Sequence, residues 1–170
     1  MKKSTKRRSA IFATTAALVA TLFVAPSAAS APTPQQAATS SGVLQQLCQR
    51  AFDRAVTDYN TAFANRDLAA LMEFYRDDAV KVDPDGKIQY GKTEISALFG
   101  QLFELNFTES FPHLYKKADC RTAVLLTNSK LVFPEWEYEE RFFTTLTYTF
   151  DGLKWRVLSS TSTNLVTSGG

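Results

Sequence analysis

Two side chains with acid/base chemistry, Tyr59 and Asp83, bracket most of the best-patterned stretch of the chain, Asp58 to Phe103. A carboxylate can accept a proton and a phenol can donate a hydrogen bond, so the pair is equipped for proton transfer. Each has a plainer reading too. Asp83 precedes Pro84, and Asp-Pro commonly starts a turn. Tyr59 sits at helical spacing among apolar residues, as a core aromatic would. His113 is the one histidine, which excludes a histidine-rich metal site, and beside Pro112 it reads as a loop residue. Glu135, Glu137, Glu139 and Glu140 invite a cation site, but the period-two spacing of the first three fits one solvated strand face better. With no Gly-rich phosphate loop, Cys/His cluster or dinucleotide fingerprint, no cofactor or metal is implied.

The elements that must position these groups can be read from periodicity. Leu44, Leu47, Cys48, Ala51, Phe52, Ala55, Val56, Tyr59, Ala62 and Phe63 recur at three and four spacing, predicting an amphipathic helix of about twenty residues from Val43. Asp67 can cap a short helix through Leu68, Leu71, Met72 and Tyr75. Ala79 to Asp83 reads as a strand, Asp85-Gly86 as its turn, and Ile88 to Tyr90 as the return. Thr93 can cap a third helix with Ile95, Leu98, Phe99, Leu102 and Phe103 on its apolar side. Beyond Phe111-Pro112 the period falls towards two. Leu114–Arg121, Val124–Phe133, Glu139–Phe150 and Leu153–Leu165 then read as four long strands. Helices followed by a run of strands signal an α+β fold.

From Tyr59 to Phe103 the wording resembles the NTF2-like superfamily, in particular the SnoaL-like polyketide cyclases and ketosteroid isomerase. Asp67, Asp77-Asp78-Ala79, Asp83-Pro84, Gly86 and Gly91 carry the likeness, which extends topologically from Val43 to about Val166. The resemblance implies a cone in which N-terminal helices pack on a curved antiparallel sheet and enclose a pocket. It implies Asp83 as general base and Tyr59 as oxyanion donor for proton abstraction next to a carbonyl. The position of the family's second oxyanion donor falls on Leu146, which can donate nothing. Phe63, Tyr75, Phe99, Phe103, Tyr148 and Trp155 are expected to line the pocket. Val80 and Val82 share one face of their strand, and Lys81 and Asp83 the other. If the valines face the apolar side, Asp83 turns towards water and Lys81. Three readings remain open. One is a cofactor-free isomerase, cyclase or dehydratase acting on a small hydrophobic carbonyl compound. The others are a non-catalytic binder of a small hydrophobic molecule and a homodimerising interaction domain using the aromatic sheet face.

The N-terminus supplies an address. Lys2, Lys3, Lys6, Arg7 and Arg8 precede an apolar run from Ala10 to Ala25 and the small residues Ser27 to Ala31. This is the layout of a secretory signal peptide, and the apolar run is too short for a membrane span. Residues 1–31 are therefore expected to be removed and the protein secreted, with residues 32–42 as a flexible linker, 43–166 as the domain and 167–170 as a tail. Without the five basic leader residues, 14 Lys+Arg face 17 Asp+Glu. A mildly acidic domain with no basic stripe is a poor partner for nucleic acid or an anionic membrane. Cys48 and Cys120, an even pair in an exported chain, are expected to form a disulfide stabilising the fold by about 4 kcal/mol.

Overall fold

The computed structural model describes residues 34–165; the expected signal peptide and the tail lie outside the described residues. Helix α1 spans Pro34–Ala64. It therefore takes in most of the segment expected to be linker. Proline suits the first helical position because its fixed φ is already helical and its missing N–H would have had no partner. The helix ends where Arg66 adopts φ 56°, with the Asp67 N–H bonded to the Ala62 carbonyl at 2.9 Å. Asp67 then caps α2 (Leu68–Met72), its carboxylate accepting the Ala70 N–H at 2.9 Å.

Strand β1 covers Tyr75–Val82, so Tyr75 opens a strand and does not end the short helix. A turn through Gly86 leads to β2 (Ile88–Tyr90) and directly into α3 (Gly91–Phe103). Thr93 is not the cap of α3. The helix starts two residues earlier, and the Glu94 carboxylate accepts the Tyr90 N–H at 2.8 Å. Gly91 has φ 76°, and a Cβ there would stand 3.0 Å from the Asp77 carbonyl. The remaining strands are β3 (Thr108–Ser110), β4 (His113–Ala118), β5 (Thr122–Phe133), β6 (Tyr138–Phe150) and β7 (Trp155–Asn164). A single 3-10 turn, Pro134–Trp136, joins β5 to β6. Strand β3 was not expected from its composition; it borrows its order from the edge of β5.

One curved sheet results, ordered β2-β1-β7-β6-β5-β3, with β4 also pairing along β5. All pairings are antiparallel except β1 with β7, which is parallel. Two irregularities coincide. On the β6 side of β7, Tyr148 pairs with Val157 and Thr147 with Ser159, so Leu158 is skipped. On its β1 side, Tyr75 pairs with Val157 and Val80 with Ser159. A crease therefore crosses three neighbouring strands at one level, and such bulges bend a sheet and increase its twist.

On one side of that crease the interior is solid. Phe52 from α1 meets Tyr148 edge-on at 5.0 Å and Trp155 at 5.3 Å, and Tyr75, Tyr148 and Val157 are fully buried. The disulfide Cys48–Cys120 joins α1 to the connection between β4 and β5, with Cα atoms 5.1 Å apart. Gln45, Gln49 and Asp53 on the same helix reinforce the junction by bonding Ala118 and Lys116.

Candidate functional site

On the other side of the crease lies a cavity of about 380 Å³ between α1, α3 and the inner sheet face. Its helix wall is largely apolar, with Phe63, Leu98, Phe99 and Leu102, interrupted by Tyr59 and Asn60. The sheet wall mixes Leu125, Leu131 and Phe142 with hydroxyl side chains. Of the expected lining residues, Phe63 and Phe99 are present. Tyr75, Phe103, Tyr148 and Trp155 are not among the lining groups. Tyr148 and Trp155 pack below the crease against Phe52, and Phe103 stacks edge-on to Phe63 at 5.3 Å from outside the hollow.

Asp83 faces the cavity. This reverses the expectation that it turns to water. The phase of this part of β1 is set by Ala79, wholly buried, and a period of two carries Lys81 and Asp83 onto that same inward face. Before Ala79 the alternation is broken, with Asp77 exposed and the register shifting between Tyr75 and Val80. Val80 and Val82 are left half-buried on the opposite side. The charges tolerate this because they are paired. The Lys81 ammonium bonds one oxygen of Asp83, and the Gln89 amide donates to the other at 2.8 Å. The two side chains keep only 10% and 15% of their surface exposed, and the ammonium lies 5.9 Å from the Phe99 ring centre.

Tyr59 also lines the cavity. Its hydroxyl is 2.9 Å from that of Tyr75, and either can donate. Tyr75 has no cavity surface, so when it donates, the Tyr59 hydrogen is released for a guest. Burial pushes the Tyr59 hydroxyl up to about 12, only partly opposed by the Tyr75 bond. Burial likewise raises Tyr75, well above its ordinary value, helped by Tyr59 beside it. Both phenols are therefore neutral donors at physiological pH. Leu146 lines the cavity too and, as expected, offers no donor.

Three features escaped the sequence. Lys81 is buried inside the site. Glu140 lines the cavity mouth, where burial, then the negative charges of Asp83 and Asp85, raise its carboxyl. The glutamates do not share one strand face, since Glu135 lies in the 3-10 turn and Glu137 takes φ 50°. Along β6, Glu140 has the inward parity of Phe142, Thr144 and Leu146, and Glu139 the outward one. Lastly, Thr127, Ser129, Thr144 and Ser162 form a row of hydroxyls on the cavity's sheet wall; in sequence they look like ordinary strand residues. His113 opens β4 and is not among the cavity-lining residues; its ring lies 3.4 Å from the side-chain amide of Asn60.

A family model described as a SnoaL-like domain matches residues 56–158. The chain belongs to the SnoaL-like domain family. No curated protein matches it significantly. Among solved structures, a ketosteroid isomerase-like protein from Erwinia carotovora atroseptica is similar at 16% identity and TM-score 0.60, covering 69% of this chain and 95% of its own. An NTF2-like protein from Pseudomonas putida aligns at 15% identity and TM-score 0.62, covering 69% and 87%. A cystatin-like domain from Nostoc punctiforme aligns at 15% and 0.59, covering 73% and 79%. At these identities the likeness is one of fold. It agrees with a SnoaL-like chain whose NTF2-like, cystatin-like sheet curves around a pocket.

Proposed function

We propose that this SnoaL-like domain is a secreted, cofactor-independent enzyme that moves a proton on a small carbonyl compound held in the cavity. Asp83 takes the proton from the carbon next to the carbonyl, the C–H electron pair becomes a C=C bond, and the carbonyl π pair moves to oxygen. Tyr59 donates a hydrogen bond to that oxygen. In a substrate with a C=C bond one carbon further on, return of the proton to the far end of that bond as the carbonyl re-forms completes an isomerisation. Lys81 fills the electrostatic place that Leu146 leaves empty, because a cation beside the reacting centre favours the enolate. The observation that carries this reading is the inward direction of Asp83 into a hollow that Tyr59 also lines. The likeness to a ketosteroid isomerase-like fold supports it.

A second reading, a non-catalytic extracellular binder, draws on the engagement of both Asp83 oxygens by Lys81 and Gln89. Deuterium exchange separates the two. Small cyclic ketones such as 2-tetralone are incubated with the protein in D2O, and loss of the α-proton signal is followed by NMR. The enzyme reading expects exchange above buffer rate, falling at least about a hundredfold in Asp83→Asn. Tyr59→Phe should slow it, and because it leaves the buried Tyr75 hydroxyl without its partner it should also cost about 1–3 kcal/mol of stability. Asp83→Glu, which keeps the ion pair, guards against a loss that is only structural. Exchange at the buffer rate across the ketone series would retire catalysis by proton abstraction and leave the binder.

A further inference from the structure

Four hydroxyls cross the sheet wall of the cavity in an unbroken row. Thr127 and Ser129 on β5 are 2.9 Å apart, Ser129 is 3.1 Å from Thr144 on β6, and Thr144 is 3.1 Å from Ser162 on β7. Thr127, Ser129 and Ser162 are buried, and all four line the hollow. Alanine and valine would fill the same volumes without a polar atom to satisfy, and Leu125, Leu131, Phe142 and Leu146 do occupy neighbouring inward positions. Buried hydroxyls cost stability unless they are bonded.

The bonding count leaves a surplus. Four hydroxyls have four hydrogens and more lone pairs than hydrogens, and three links consume three of the hydrogens. Either atom of each link can donate, so the row has two polarities. Run one way, the fourth hydrogen sits at Thr127 and reaches the Thr144 carbonyl at a stretched 3.5 Å. Run the other way, it emerges at Ser162 into the cavity. A guest oxygen that accepts selects the second polarity; a guest hydroxyl that donates selects the first and finds a lone pair on Ser162. Such a row can serve both kinds of oxygen without moving a heavy atom.

We infer that this row is the specificity-determining element of the site. It reads the oxygen-bearing edge of a small molecule whose apolar side lies on Phe63, Phe99 and Leu102. The ligand class is thus an oxygenated, amphipathic compound and not a plain hydrocarbon. The inference rests on the reading of this cavity as the ligand site, but not on turnover there.

The test uses a matched pair of probes, 2,7-dihydroxynaphthalene and naphthalene, with affinities taken from NMR titration of the full-length protein purified after export. The measured quantity is the ratio of the two affinities. In the triple variant Ser129→Ala, Thr144→Val, Ser162→Ala that ratio should shift against the diol by about tenfold or more, the worth of one or two hydrogen bonds. The melting temperature should change little, since the replacements nearly keep volume and the Thr127 hydroxyl retains the Thr144 carbonyl as acceptor. Leu47→Ala, on an exposed part of α1 outside the cavity, should leave the ratio where it was. A shifted ratio in the triple variant beside buffer-rate deuterium exchange in the unaltered protein would uphold the row and retire turnover, which keeps the two readings separable. An unchanged ratio in the triple variant overturns the inference alone. Failure of both probes to bind overturns it together with the cavity as a ligand site.

Discussion

The Lys81 ammonium rests on one oxygen of Asp83 inside the cavity, and neither side chain has much access to water. Removing one member of a buried ion pair strands the other, which typically costs about 3–5 kcal/mol. Lys81→Met should therefore destabilise the protein by about 3 kcal/mol, somewhat under that range's centre because the cavity admits water. The double variant Lys81→Met, Asp83→Asn should recover most of the loss. Denaturant melts of the two single variants and the double give the coupling directly. Additive losses would mean that the pair contributes nothing as a pair.

Glu140 predicts a pH signature. Its carboxyl is raised by burial and by Asp83 and Asp85, so the folded protein holds that proton more tightly than the unfolded chain does. The stabilisation is complete below the ordinary value of 4.5 and is lost as pH climbs through the raised one. Glu140→Gln escapes that loss. Its melting temperature should exceed that of the unaltered protein at pH 7, with the difference closing towards pH 4. A gap that does not vary with pH would remove Glu140 from the account.

The disulfide spans 72 residues of sequence, and opening it should cost about 4 kcal/mol through the entropy of the unfolded chain. A Cys48→Ser, Cys120→Ser variant should melt lower by on the order of 10 °C. It should still fold, because Gln45, Gln49 and Asp53 hold α1 to β4 independently. Circular dichroism under oxidising and reducing conditions checks both halves of this expectation.

Gly91→Ala places a methyl group 3.0 Å from the Asp77 carbonyl at φ 76°. A non-glycine residue held in such a backbone region costs about 1–3 kcal/mol. The loss should appear as a lower melting temperature, and Gly42→Ala, with open space around it, is the matching control.

The contrast between β1 and the helices shows what could be read from residues alone. Helical periodicity located the apolar face of α1 from Phe52 onwards, because a stripe such as Phe52, Val56, Tyr59 and Phe63 has one way to be buried; Leu44 and Leu47, at the start of the same expected stripe, are exposed. In β1 the alternation was legible but its direction was not. Hydropathy favours Val80 and Val82 as the inward pair, whereas Ala79 fixes the phase after the register break that follows Tyr75. The two inward charges are then made tolerable by pairing with each other. The hydroxyl row was invisible for a related reason: Thr127, Ser129, Thr144 and Ser162 come from three strands, and only register brings them together. Glu140 shares the parity of Phe142 and Leu146 along its strand, but a carboxylate beside apolar inward positions gave no reason to place it in the cavity.

The skipped residue in β7 has a bearing on shape that composition does not. Deleting Leu158 would restore unbroken alternation and still leave Val157, Ser160 and Ser162 pointing inwards, because the omission and the bulge cancel. Every lining group would be kept, yet the fold line across β1, β7 and β6 would straighten and the sheet would lie flatter on the helices. A chain of that kind would carry the right chemistry with no room for a guest. Loss of naphthalenediol binding in a well-folded Leu158 deletion would show that the hollow is a product of strand geometry as well as of the side chains around it.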